Sequence, residues 1–197
     1  MSQYYFKERK FSTMANVYDS ISVNEHAVAE SSLLKATISG HIYSLKAHAN
    51  MDNGCIVARG NWVSDFADGQ VFASKAYTAG TDEPLLVLSV PFGYDARRAA
   101  QDEKSFYNAK DEIMRAYELC VGDIFTISAA GIEDGSESSG ESTTAVKPAV
   151  GKYVAPDAST GVLTAASSAA ASGFSGKIVA VVNYKNTVAY RIFVESV

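Results

Sequence analysis

Lys177-Ile178-Val179-Ala180-Val181-Val182, a turn over residues 183–187, then Val188-Ala189-Tyr190-Arg191-Ile192-Phe193-Val194: this stretch decides the fold class. β-branched and aromatic residues dominate both arms, and such side chains fit a pleated, half-buried surface. In the second arm a period of two puts Val188, Tyr190, Ile192 and Val194 on one face and Ala189, Arg191 and Phe193 on the other. Two such runs around a short polar turn predict a closing hairpin.

Working back from it, Ile124-Phe125-Thr126-Ile127-Ser128 is a strand of strong β formers entered through the Val121-Gly122-Asp123 turn, and residues 113–119 alternate weakly before it. Leu85-Leu86-Val87-Leu88-Ser89-Val90 is the most continuous apolar run, and Pro84 and Pro91 bound it, so its length suits a central strand rather than a helix. Residues 41–49 (HIYSLKAHA) set Tyr43, Leu45 and Ala47 against Ile42, Ser44, Lys46 and His48. Asp52-Asn53-Gly54 then reverses the chain into the apolar Cys55-Ile56-Val57-Ala58, which predicts an early hairpin with residues 41–49. Val71-Phe72-Ala73, residues 150–154 and Val162-Leu163 add further short strands, with a turn over 157–161.

Short strands separated by turns predict a mainly β chain, a small antiparallel β-sandwich or barrel. One or two short helices or long loops accompany it. A helix is expected within 24–36, opened by Asn24 as N-cap, and a loop with a helical turn over 95–110. Residues 132–144 (IEDGSESSGESTT) bury too little apolar surface to offset their ordering entropy, which predicts a mobile loop. Residues 1–23 read as an extended N-terminal arm, and 24–197 as a single β-rich domain. In the arm Tyr4, Tyr5, Phe6, Phe11 and Tyr18 stand among Lys7, Glu8, Arg9 and Lys10. Aromatics on a tail gain from burial only when a partner covers them. Met14 offers a second start within the frame.

The chain has 197 residues, 47% of them hydrophobic and 20% charged, enough to bury a core without staples. Its net charge of −5 opposes the phosphate neutralisation that nucleic acid requires. There is no apolar run long enough to span a bilayer, and the start MSQYYFKERKF lacks the apolar core of a secretory signal. The expectation is synthesis in the cytoplasm, with neither nucleic acid nor membrane as partner. Cys55 and Cys120 read as two small buried thiols, with a disulfide open only if their strands are neighbours.

A catalytic reading has His26, His41 and His48 as its imidazole bases, yet no nucleophile elbow, phosphate loop, H-E-x-x-H or C-x-x-C accompanies them. No catalytic residue, metal or cofactor is expected. The cluster Glu133-Asp134-Gly135-Ser136-Glu137 departs from the calcium-loop pattern and reads as a solvated acidic loop. Trp62 with Tyr43, Phe66 and Phe72 forms either an aromatic binding platform or core, and at strand spacing core is the weightier reading.

Three blocks carry a resemblance: the Asn53-Gly54-Cys55-Ile56-Val57 turn and strand, Gly122-Asp123-Ile124-Phe125, and the ending that begins Gly176-Lys177-Ile178-Val179. With a strand ending near Val90-Pro91, they resemble the capsid decoration (head auxiliary, cement) proteins of tailed bacteriophages over scattered parts of residues 40–197. The resemblance implies a non-enzymatic virion structural protein, made in the host bacterium, that binds the outer surface of an assembled capsid. It implies the major capsid protein as partner, threefold or quasi-threefold positions, and contacts with copies of itself, a trimer being favoured. The arm residues Tyr4, Tyr5, Phe6, Arg9, Phe11 and Tyr18 are the expected partner-binding set. A β-sandwich carbohydrate-binding module using Trp62 is the alternative.

Overall fold

A computed structural model describes residues 26–65, 69–90, 103–139 and 142–197. The arm, Phe66 and residues 95–102 lie outside these. The described part is mainly β, built from a closed barrel, a larger sheet and a two-stranded ribbon.

The closing hairpin forms as expected. Strands β13 (Ser175–Tyr184) and β14 (Thr187–Ser196) pair antiparallel from Tyr184 opposite Thr187. Lys185 and Asn186 take φ of 50° and 60°, the left-handed pair of a two-residue turn whose twist matches that of the strands. Ile192 and Val194 are fully buried and Tyr190 half-buried, but Val188 is exposed, because the hairpin runs on past the core. On the reverse face Ala189 is buried, opposite Ser128.

β14 pairs next with β7 (Ile124–Ser128), and β7 with β1 (Ala29–Leu33). On the other side β13 meets β11 (Tyr153–Pro156), followed by β12 (Leu163–Ala166) and, in parallel, β8 (Ile132–Glu133). The barrel runs β2 (Ile42–Lys46), β4 (Val71–Ala76), β3 (Ile56–Trp62), β5 (Leu85–Val87), β6 (Ile113–Glu118) and back to β2. Its pairs are antiparallel except β2 with β4.

Two cores explain the apolar runs. Leu45, Val57, Leu85, Val87 and Met114 fill the barrel, while Ile56, Leu86, Phe125, Ile127, Ile178 and Ile192 pack between barrel and sheet. β3 and β5 lie between the two, so successive residues face different cores and both faces are dry. That is why residues 55–58 and 85–88 show no alternation.

Four local expectations are corrected. Within 24–36 only Ala36 is helical among the described residues: residues 29–33 are β1, whose edge completes the sheet, and the helix α1 is confined to Ala36–Ser39, closed by Gly40 at φ 76°. The apolar stripe there was patchy because Ala27, Val28 and Leu34 are buried on either side of β1, while Leu33 stays exposed. The early hairpin does not form either. β2 and β3 are separated by β4, because the turn between them is engaged with other segments: Asn53 exchanges two 2.9 Å bonds with the backbone of Ser89, and Met51 pairs with Asn108. The loop expected over 132–144 is β8 followed by a ribbon, β9 (Gly135–Ser139) against β10 (Ser142–Val146). Its pairing draws on backbone bonds, which composition does not register, and on the buried anchor Val146. Of the two thiols, Cys55 is buried and Cys120 only half-buried, and both are free.

Candidate functional site

The expected partner-binding residues Tyr4, Tyr5, Phe6, Arg9, Phe11 and Tyr18 fall outside the described residues, as does the arm itself. The three histidines are not brought together. His26 Nδ1 donates to Asp52 Oδ1 at 2.7 Å, His41 Nδ1 lies 3.1 Å from Glu118, and His48 Nδ1 lies 2.7 Å from Ser74 Oγ. Ser74 Oγ also accepts the His48 backbone N–H, at 3.0 Å, so both contacts of His48 converge on one hydroxyl. Partial burial lowers the His48 pKa and so favours the neutral ring. Each histidine bonds a different, sequence-distant side chain.

Of the aromatic set, Trp62, Tyr43 and Phe72 gather at one end of the barrel. β3 and β4 carry a bulge between Arg59 and Trp62, which re-aims the end of β3 and sets Trp62 beside Phe72. The two rings stack with centroids 3.7 Å apart, and Tyr43 meets Phe72 edge-on at 6.2 Å. Tyr43 and Phe72 rest on the barrel core, as expected of strand aromatics. Trp62 does not: it is 61% exposed, which overturns the core reading for that residue.

Arg59 completes the cluster. Its guanidinium carbon lies 4.9 Å from the Tyr43 ring centre and 5.1 Å from that of Phe72, and Nη2 is 3.8 Å from Glu83. Tyr43 donates its phenol proton to Glu118 Oε2 at 3.1 Å; burial first, and then Glu118, raise its pKa, so it stays a donor. Beside Trp62 a cleft of about 400 Å³ is lined by Lys46, His48, Ser64, Ser74 and Asp111. Lys46 lies 3.7 Å from Asp111 and 3.9 Å from Asp65. The surface thus offers an exposed indole face, a stacked cation, and carboxylates and an ammonium around its rim. Arg59 had no local signal, since its partners lie on two other strands.

A second cleft, about 360 Å³, includes Asn50, Asp52, Cys55, Ser159 and Thr160. Burial, with Asp52 next, pushes the Cys55 thiol up to about 12, so no thiolate is available there at neutral pH. Iodoacetamide applied to the native protein at pH 8 is expected to leave Cys55 unmodified until the chain is unfolded, with any native labelling confined to Cys120; peptide mass spectrometry reads this directly.

Among the described residues no group of three or more His, Cys, Asp or Glu is placed to hold a metal ion, and no helix is long and apolar enough to cross a membrane. No protein-family model, no curated protein and no solved structure matches the chain.

Proposed function

We propose that the chain is a non-enzymatic structural protein that binds the outer surface of an assembled tailed-phage capsid and bridges major capsid protein subunits. The observation that carries this reading is the cluster of Trp62, Tyr43 and Arg59. These are the residue types that dominate protein–protein binding energy, presented here on a barrel wall rather than in an enclosed pocket. The blocks behind the family resemblance give it support as well: Ile56, Phe125 and Ile178, one from each, pack into the same core. A ligand that binds only the assembled lattice stabilises it by its binding free energy, and many weak contacts repeated over a shell act through effective concentration. The arm would add main-chain bonds at exposed edges of capsid subunits, in the manner of strand addition.

The test is occupancy of intact heads. Mass spectrometry of purified virions should find the chain, and the purified chain should re-bind stripped heads. Deletion of residues 1–23 is expected to leave a protein with unchanged Tm that no longer binds heads; unchanged occupancy would remove the arm from the mechanism, and failure of the intact chain to bind would remove the shell reading.

One observation favours a second reading, a carbohydrate-binding module: Trp62 is 61% exposed, with its indole stacked on Phe72. Trp62→Ala separates the two. For shell binding the variant is expected to lose about 2 kcal/mol of affinity for heads and to show nothing on a glycan array with either form. Saturable glycan binding by the native chain that Trp62→Ala abolishes would favour the carbohydrate reading.

A further inference from the structure

The β13–β14 hairpin outruns the strand that covers its outer side. β11 pairs with β13 only at Gly176 and Lys177, and the ladder ends where Ile178 N donates to Lys152 O and Gly151 N to Ile178 O, both at 2.8 Å. From residue 179 to 184 no strand lies along β13 among the described residues. The two-residue turn makes Tyr184 and Thr187 the first hydrogen-bonded pair. Val182 with Ala189 and Ala180 with Arg191 follow, so the N–H and C=O groups of Val181 and Asn183 point outward.

The side chains around this edge are apolar. Val150, Val179, Val181 and Val188 are all exposed, and residues 178–184 carry no charged side chain. Soluble proteins usually blunt such an edge with charge, proline or shortness. Here only the irregularity near Val179 interrupts it.

We propose that this edge joins two copies of the chain, β13 against β13, antiparallel about a two-fold axis through Val182. The outward groups at 181 and 183 bracket residue 182, so Val181 faces Asn183 of the partner subunit twice over, closing four N–H···O bonds. Val182 then lies opposite its own counterpart in a non-hydrogen-bonded pair. Centring on Val181 instead would set the irregular Val179 against the outward groups of Asn183. A second copy fits this edge in charge as well as in register: residues 178–184 are uncharged, so the antiparallel pairing sets no like charges of β13 against each other there. The pairing is short, so the dimer forms only at high protein concentration or when copies are held side by side. The proposal stands whether or not the chain binds a shell.

Sedimentation equilibrium of the full chain tests it. The weight-average mass is expected to rise with concentration from 21.0 kDa towards twice that value. Val181→Pro removes an outward N–H that no bond among the described residues uses and should abolish the rise without changing the circular dichroism spectrum. In a Cys120→Ser background, Val182→Cys is expected to form an interchain disulfide under mild oxidation at least tenfold faster than Ile38→Cys on the exposed face of α1, because facing Cα atoms of a non-hydrogen-bonded pair lie about 4.5 Å apart. A single-chain mass at every concentration overturns the proposal. So does a dimer that survives Val181→Pro, one lost only on deletion of residues 1–23, or cross-linking of Val182→Cys no faster than that of Ile38→Cys. If Val181→Pro does not fold, the cross-linking rates decide.

Discussion

Asp123→Ala is expected to destabilise the protein by about 2–4 kcal/mol, a large share of the 5–15 kcal/mol typical of a domain. Asp123 is completely buried, and its two carboxylate oxygens accept from different segments: Oδ1 from Lys35 N at 3.0 Å, Oδ2 from Cys120 N at 2.9 Å. Its backbone continues the linkage, since Asp123 O accepts from Val194 N and Gly122 N donates to Val194 O, each at 2.9 Å. One side chain therefore ties the end of β1, the exit of the barrel through β6 and the entry to the sheet through β7. Alanine removes the acceptor of two partly buried N–H groups, and each unsatisfied buried donor costs about 1–3 kcal/mol. Asp123→Asn keeps one acceptor oxygen and should lose less. Urea unfolding checks this: the midpoint should fall with an unchanged slope, while Asp134→Ala, on an exposed turn, should stay within about 0.5 kcal/mol.

This residue also shows what was legible in the sequence. Gly122-Asp123 reads as a turn because the local chain says so, and it is one: Asp123 N bonds Cys120 O at 3.0 Å. That the aspartate reaches back to residue 35 belongs to tertiary structure, and no spacing rule carries it. The closing hairpin was legible because its signal is local: β-branched alternation on both sides of a short polar turn containing Asn186, a residue type that tolerates positive φ. Residues 85–88 were legible as a core strand because two dry faces leave a continuous apolar run. The early hairpin was misread for the opposite reason. Asp52 and Asn53 have the turn chemistry expected of them, but their side chains bond His26, Ala27 and Ser89, and β4 takes the place between β2 and β3 through a parallel pairing. Of the candidate site, Trp62, Tyr43 and Phe72 were picked out by composition, whereas the exposure of Trp62 depends on a bulge and Arg59 on a cross-strand approach.

Gly161→Ala is the other substitution with a large expected effect, about 3–5 kcal/mol. Gly161 sits at φ 72°, and a Cβ there would overlap the carbonyl oxygen of Ile56 and stand 3.3 Å from its carbonyl carbon. Both are backbone atoms of β3, the strand between the two cores, so neither can move aside without disturbing the barrel. The contact also carries a bond, Ile56 N to Gly161 O at 2.8 Å, which joins residues 157–161 to β3. Gly54 provides the comparison. It too has positive φ, and its added Cβ would overlap Ile127 Cδ1 and stand 3.1 Å from Cγ1, but these are side-chain atoms, which yield more readily than the backbone of a strand. Gly54→Ala should therefore be the milder of the two, with most of its loss from the backbone angle. The turn itself remains capped in both variants, because Asp157 Oδ1 accepts from Ser159 and Thr160, bonds that hold its carboxyl far below the usual carboxylate range. Thermal unfolding of the two variants side by side should give a larger drop in Tm for Gly161→Ala. Equal drops would mean that β3 yields as readily as the Ile127 side chain, contrary to its place between two packed cores.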